Sequence, residues 1–396
     1  MRSPSDAEYL RRVEQVEGLL GPCVVISLTF TMLHKSTIDA VEPLRKLLVR
    51  AGLHDYSTQG QGAKAHGVVL RSRFVSQGQS GEAGTSFFRP KAGKGDPRFW
   101  VYGFRRRATV GDQIAVAVGS NGLLVVNLSG TDWPATLQLV EAYLAPHAIR
   151  PSIDHPALPE LLNTLRGIAR GPHLPGLLEA DTSVGRTLEL ALGISMNSSK
   201  QPDYKGIELK FARDRPPSRR SRSNLFAEQA DWSISPLKSA DAILNEFGYW
   251  RDGQRKISHT SSALRRNSLG LRLSHNMVDN TIDELSDRPH LPVVDRWRVT
   301  RLQERLIEKH SATAWVAVDS RVIDGVEHFR PITVLYTSEP KPDVFPLMVG
   351  AGQITLEHLI RTKGPSGRGY DKGPLWKLNA AGHDVLFGKS KSIDLT

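Results

Sequence analysis

The chain has 396 residues, 39% of them hydrophobic and 23% charged. That is enough for two domains with cores of their own, and it argues against global disorder. The formal net charge of +11 and pI near 9.7 favour a polyanionic partner, because lysine and arginine neutralise phosphates and release counterions. A single cysteine, Cys23, excludes an intrachain disulfide and a multi-cysteine zinc site and fits the reducing cytoplasm. The apolar stretch from Cys23 to Leu33 is too short to span a membrane, and the acidic residues Asp6, Glu8, Glu14 and Glu17 before it are wrong for a signal peptide. In chain order, Val24 to Phe30 reads as a strand and Thr37 to Ala51 as an amphipathic helix, with Pro43 inside it. Strands follow at Gly67 to Arg73, Arg98 to Arg105, Gln113 to Val118 and Leu123 to Leu128, with a turn at Gly119-Ser-Asn-Gly122, and a helix runs from Pro134 to Leu144. Residues 1–145 are therefore expected to form a separate α+β domain, the proline-bearing segment 146–159 a linker, and residues 160–396 a second domain. In the first domain Phe87 to Lys91 and Arg98 to Arg107 interleave aromatics with cations. They read either as a β-core with solvated arginines or as a surface that grips phosphates through Arg105, Arg106 and Arg107. The domain itself reads as a DNA-binding or effector module, with a partner-docking or stabilising domain as the alternative.

In the second domain, Asp181 to Gly193 has the marks of a short helix. Asp181, Thr182 or Ser183 can cap it, Leu188 and Leu192 share its apolar face, and Gly193 fits its C-terminal end. Glu189 lies beside that apolar pair, one turn from Gly185 and from Gly193, so its side of the helix can approach a neighbouring strand closely. Pro202-Asp-Tyr-Lys-Gly-Ile-Glu-Leu-Lys210 comes next. Strict alternation through Phe211 puts Ile207, Leu209 and Phe211 on a core face, with Glu208 and Lys210 together on the other, about 7 Å apart. Asp203 and Glu208 offer hard oxygens to a divalent ion such as Mg²⁺. A lysine beside them can orient water or stabilise charge building on a phosphate. On its own, Glu-x-Lys on an amphipathic strand is more often a solvated face with a weak ion pair.

The pieces together resemble the MvaI/BcnI family of restriction endonucleases, relatives of the mismatch-repair nicking enzyme MutH with a PD-(D/E)XK nuclease core. Gly185-Arg-Thr-Leu-Glu189, Leu192-Gly-Ile194, Asn197-Ser-Ser-Lys200 and Pro202 to Lys210 carry the resemblance. Ser235-Pro-Leu-Lys-Ser239, Phe247-Gly-Tyr-Trp250, Asn267-Ser-Leu-Gly-Leu271 and Lys372-Gly-Pro-Leu-Trp-Lys377 continue it in order. It covers roughly residues 155–390 and implies an α/β restriction-endonuclease-like core, a central mixed sheet flanked by helices. It further implies that Asp203 and Glu208 are metal ligands, Lys210 the catalytic lysine and Glu189 an accessory acid holding a metal-bound water. Mg²⁺ is the implied cofactor, with Mn²⁺ as a substitute. The implied substrate is double-stranded DNA at a short, GC-rich, nearly palindromic site, cut one strand at a time by a monomer. A DNA methyltransferase of the same restriction–modification system is the implied functional companion.

Several basic segments are candidates for DNA contact. Arg213, Arg215, Arg219, Arg220 and Arg222 lie in a Pro- and Ser-rich loop that leaves the catalytic strand. Lys256, His259, Arg265 and Arg266 lie in a second basic stretch. Lys363, Arg368 and Lys372 flank a glycine-rich loop that permits close backbone approach. Each of these segments is otherwise a solvated charge run. The expected activity is Mg²⁺-dependent, sequence-specific hydrolysis of duplex DNA by a cytoplasmic enzyme. The alternatives are a MutH-like nicking enzyme controlled by methylation or a partner, and a DNA-binding protein with a vestigial nuclease site.

Overall fold

The computed structural model describes residues 4–119, 122–143, 154–194, 201–215, 222–251, 253–363, 368–371, 373–388 and 390–396. The turn residues Ser120 and Asn121, the Asn197-Ser-Ser-Lys200 motif and much of the expected linker lie outside them. Four sheets organise the rest. Residues 23–127 form a seven-stranded sheet in the order Cys23–Ser27, Gln113–Gly119, Gly122–Asn127, Val68–Ser76, Gln79–Phe88, Arg98–Val101, Ile38–Asp39. It is mixed, since Val68–Ser76 runs parallel to Gly122–Asn127.

Three differences from the expected elements have local causes. The helix expected from Thr37 begins at Glu42, with Pro43 in its first turn, where a missing N–H costs nothing. The strand starting at Arg98 stops at Val101, because Gly103 is left-handed (φ 86°) and starts a helical turn over Phe104–Arg107. The aromatics of that stretch go inward: Phe87, Phe99 and Phe104 are fully buried in one cluster. Arg105 donates to the carbonyls of Leu33 (2.8 Å) and His34, and Arg107 lies over the Phe74 ring. Of the arginine cluster, Arg105 and Arg107 thus brace their own domain.

The later residues build three sheets. The first, in the order Lys391–Asp394, Val326–Ser338, Ala312–Ile323, Glu208–Arg213, has the Glu208 strand at its edge, running parallel to Ala312–Ile323. The second runs Ser223–Ala227, Leu375–Leu378, Ile354–Lys363, Gln254–Ser261, Tyr249–Arg251, with Arg368–Asp371 also paired to Ile354–Lys363. The third is the meander Arg272–Asn276, Thr281–Leu285, Val293–Arg298. Helix Leu158–Arg170 buries Leu158, Leu161, Leu162 and Leu165 on the first of these sheets, so this helix begins within the last residues of the expected linker.

The seven-stranded unit does not stand apart from the rest. Helix Asp6–Leu20 is capped by the Ser5 hydroxyl, which accepts from Glu8 N, and it buries Tyr9, Leu10, Val13, Val16 and Leu20. These side chains share one apolar cluster with Phe345, Leu347, Met348 and Val349 of helix Phe345–Gly350. Each such burial contributes roughly 1.5–3 kcal/mol. Polar ties cross the same junction: Lys341 to Glu17 at 2.7 Å, His275 to Asp6 at 3.0 Å, and Arg50 to Glu339.

Asp343 accepts from the Val25 backbone N–H at 2.6 Å in this junction. Burial pushes its carboxyl up to about 6 from an ordinary 3.8. A folded pKa above the unfolded one means that ionisation costs the folded state. The stability contribution is full below the ordinary value and is lost as pH rises through about 6. Asp343→Asn keeps an oxygen for Val25 and cannot ionise. It should nearly match the wild type in urea unfolding near pH 4 and exceed it near pH 8 by roughly 3 kcal/mol. Equal stabilities at pH 8 would remove Asp343 as the source of this pH dependence.

Candidate active site

The segment 202–210 forms a tight hairpin that leads into the edge strand. Tyr204 and Ile207 exchange backbone hydrogen bonds at 2.9 and 2.8 Å. The two residues between them, Lys205 and Gly206, both have positive φ, 45° and 94°, the pattern of a type I′ turn. The turn folds Asp203 back onto the strand, where its Oδ2 accepts from Leu209 N at 3.0 Å. Ile207 and Leu209 enter the core as the alternation predicts. Glu208 does not face solvent: it is only 2% exposed.

Two cations reach Glu208. Lys210 Nζ donates to Oε1 at 2.6 Å and Lys309 Nζ to Oε2 at 2.9 Å. Lys309 sits near the end of helix Val299–His310 and also donates to the Gln201 carbonyl at 3.2 Å. The next residue, His310, fixes the end of that helix. Its Nε2–H donates to Leu225 O at 2.9 Å, and its Nδ1 accepts from the Thr313 hydroxyl at 3.0 Å. Burial, with Lys210 nearby, pushes the imidazole down to about 3, so it is a neutral strut at ordinary pH.

Glu189 arrives from helix Ser183–Ala191. The cap differs from the expected one. Thr182 makes no side-chain cap bond, and the Ser183 hydroxyl instead accepts from Leu178 N. At the other end Gly193 is left-handed (φ 76°) and Ile194 N closes onto the Glu189 carbonyl at 2.9 Å, as expected for a glycine-ended helix. The side chain of Glu189 lies back over Gly185 and enters the field of Asp203 and Glu208. Burial and then the Asp203 charge hold the Glu189 carboxyl above its usual range. Burial and then the Glu208 charge do the same to Asp203. The structure therefore brings together all four residues singled out in the sequence, Glu189, Asp203, Glu208 and Lys210. It adds Lys309, which sequence reading missed.

The basic candidates are spread more widely. Arg213 is bound through Nε and Nη2 to Glu327, both at 2.6 Å, and lies over the Phe329 ring. Its charge is thereby tied within the sheet. Arg222 donates to the Thr355 hydroxyl at 2.7 Å, and Arg215 is exposed but has an interaction partner. Lys256 is half-buried. His259 is buried and turned onto Glu284 at 3.0 Å, so it presents no ring to a ligand outside. Arg265 and Arg266 are exposed on a turn that Asn267 organises by accepting from Leu269 N and Leu271 N. Lys363 and Arg368 are register partners at the ends of their strands. Arg219, Arg220 and Lys372 lie outside the described residues.

An edge strand beside a parallel partner, carrying a carboxylate hairpin and a lysine, with a helix adding a third acid, is the core of a restriction-endonuclease-like nuclease. The MvaI/BcnI restriction endonuclease family matches residues 162–387, and the chain belongs to that family: it is an endodeoxyribonuclease of the restriction type. A solved structure of restriction endonuclease MvaI in complex with its cognate DNA substrate superposes with a TM-score of 0.53 at 15% identity, covering 62% of this chain and all of that one. MvaI in the absence of DNA gives a TM-score of 0.38 at 14% identity over the same shares. Comparison with curated protein sequences gives no match. The family match begins beyond the seven-stranded sheet, which lies outside the matched residues. Among the described residues no helix is long and apolar enough to cross a membrane.

The two lysines on Glu208 are not equivalent. Lys309 is the more buried and has a second acceptor, whereas among the described residues Lys210 bonds Glu208 alone. Lys309→Met should therefore destabilise the protein by about 1–3 kcal/mol, because it leaves one oxygen of a buried carboxylate without its hydrogen-bond donor. Lys210→Met should cost less in the same urea titration. The reverse order would refute this ranking.

Proposed function

We propose that this endonuclease is a sequence-specific, Mg²⁺-dependent enzyme whose active site is Glu189, Asp203, Glu208 and Lys210. The observation that carries the reading is the convergence of three carboxylates and a lysine from a helix, a hairpin and a strand. The donor set fits a hard divalent ion. It is made of carboxylate oxygens, one Asp203 oxygen is left over by the Leu209 bond, and the raised Glu189 and Asp203 carboxyls mark a repulsion that a cation would relieve. Asp203 and Glu208 would hold the ion. Mg²⁺, for which Mn²⁺ substitutes, supplies charge that acidifies water and offsets phosphate charge.

The chain's own residues do the remaining work. Lys210 stands where its ammonium can orient the attacking water and stabilise negative charge on the scissile phosphate. Glu189 accepts a hydrogen bond from that water and takes up its proton, a task suited to a carboxyl held above its usual range. Lys309 keeps Glu208 oriented. The partner is double-stranded DNA, read at a short, GC-rich, nearly palindromic site by a cytoplasmic monomer that cuts one strand at a time. A methyltransferase of the same system protects the host DNA. Arg265 and Arg266, and the loop containing Arg219, Arg220 and Arg222, are read as contacts to the duplex. The seven-stranded unit is read as an effector or second specificity module.

Asp203→Ala and Glu208→Ala should abolish plasmid cleavage in Mg²⁺ yet keep duplex binding in gel shifts, because the basic surface is untouched. Retained cleavage by both would sink the site assignment. Wild-type protein that binds but never cleaves would point to a vestigial site. Glu189→Gln should be slower but more stable than wild type in EDTA near pH 8, since it removes one of the repelling charges; the advantage should vanish on acidification, when Glu189 and Asp203 are protonated in the wild type as well.

Binding should weaken steeply with salt. Replacing Arg219, Arg220 and Arg222 with alanine should flatten the log–log slope by about 0.9 for each phosphate that is no longer neutralised. An unchanged slope would make the loop a solvated charge run.

A further inference from the structure

A second constellation of ligand-type side chains lies outside the carboxylate cluster and shares no residue with it. His259 on strand Gln254–Ser261 and His358 on strand Ile354–Lys363 are register partners across an antiparallel pair. Their rings therefore project from the same face of that sheet, with centroids 5.5 Å apart. Glu284, on strand Thr281–Leu285 of the three-stranded meander, meets them. His259 Nε2 is 3.0 Å from Glu284 Oε1, and His358 Nδ1 is 3.5 Å from Glu284 Oε2. One ligand atom from each of the three residues falls within 4.8 Å of the others. His358 and Glu284 are fully buried and His259 is 8% exposed.

The group does not satisfy itself. Glu284 Oε1 accepts from the Ser261 hydroxyl. Among the described residues, however, Glu284 Oε2, His259 Nδ1 and both nitrogens of His358 have no hydrogen-bond partner. Two more buried acids stand around them. Asp371 Oδ2 lies 3.8 Å from His358 Nε2. Asp295 is the register partner of Glu284 and is fully buried, and among the described residues neither of its carboxylate oxygens has a hydrogen-bond partner. Three carboxylates and two imidazoles without solvent are costly unless a positive charge sits among them.

We propose that His259, Glu284 and His358 bind a divalent transition-metal ion of the zinc class, and that this ion staples the six-stranded sheet to the three-stranded meander. Imidazole nitrogen and carboxylate oxygen are the donors such an ion takes, at about 2.0–2.2 Å. Donors around one tetrahedral ion then stand roughly 3.3–3.6 Å apart; the two histidine–Glu284 separations are 3.0 and 3.5 Å, and one ligand atom from each residue lies within 4.8 Å of the others. Asp371 is on the correct side of His358 to accept the proton of the ring nitrogen turned away from Glu284, the usual way a ligand imidazole is oriented. Asp295 adds compensating negative charge beside the ion. Burial makes the site structural and closed to substrate, whereas the carboxylate cluster is bordered by the partly exposed Lys210. Mg²⁺ prefers all-oxygen donors and keeps several waters, so the two sites select different ions.

The test uses the full chain, purified without added metal, with bound metal counted by mass spectrometry after dialysis. Wild type and Asp203→Ala should each retain about one equivalent of zinc, while Glu284→Gln and His259→Gln should retain none. Stripping the wild type with a strong chelator and adding Zn²⁺ should raise Tm by several degrees, and Co²⁺ should give the visible absorption bands of a nitrogen–oxygen tetrahedral site. The chelation and cobalt measurements need no variant, so a variant that fails to fold leaves the question decidable. Folded wild type with no stoichiometric metal, no Tm response to Zn²⁺ and no cobalt bands would overturn the proposal and leave a protonated His358 as the cation of the cluster. Loss of the metal in Asp203→Ala with retention in Glu284→Gln would overturn it equally. None of these readouts depends on DNA cleavage, so failure of the nuclease reading would be seen separately.

Discussion

Packing Glu208 beside Asp203 and Glu189 concentrates negative charge where little water reaches it, and much of the nuclease core is arranged to offset that charge. Lys210 comes from the same strand, two residues on. Lys309 comes from a helix 101 residues later and is held in place because the next residue, His310, is locked between Leu225 and Thr313. Thr313 in turn faces Glu208 in the parallel pairing. The edge strand, its neighbour and the helix between them therefore meet at one ionic cluster. A shift in any of them would leave a carboxylate or an ammonium in a dry place without its partner.

Much of this was legible in the sequence, and the remainder was hidden for physical reasons. Alternation over Ile207 to Phe211 located the strand and its core face, and Gly185 and Gly193 marked which side of the helix Glu189 would use. The same alternation left Glu208 on an outer face, because period-two patterning cannot tell solvent from a surface covered by a distant helix. Lys309 had no local signal at all: a lysine in the last turn of an amphipathic helix is ordinary complementation of the helix dipole. The strand Gln79–Phe88 escaped notice because its Gln, Gly, Glu and Ser residues have poor strand propensity. It forms through pairing with Val68–Ser76 across a Gln77-Gly78 turn with φ values of 51° and 67°. His259 was read with a basic stretch, and only the fold shows that it belongs to a buried cluster with residues 25 and 99 positions downstream.

The seven-stranded unit lies outside the family match, yet its first helix and the Phe345–Gly350 helix bury their apolar faces in the same cluster. Composition and a proline-bearing connection suggested two domains, each with its own core. What neither reveals is that a helix whose apolar face is broad enough for a core of its own can complete a neighbour's core. Asp343, Lys341 and Glu339 all lie just before the Phe345–Gly350 helix and reach across to Val25, Glu17 and Arg50. That short stretch is the mechanical seam between the seven-stranded unit and the nuclease core.

The two-residue turn at Lys205 and Gly206 acts as a ruler. It fixes how far Asp203 is folded back along the strand, and so how the hairpin's two acids stand to each other, using only six contiguous residues. Side chains flip faces with every residue added to an extended segment. A single insertion in this turn would carry Asp203 to the opposite side of the pleat, even with every side chain of the site retained. The length of the connection is therefore under stricter constraint than the identity of the residues that span it. Lengthening it by one would break up the carboxylate cluster as thoroughly as deleting an acid, while leaving a sequence in which every expected residue can still be found.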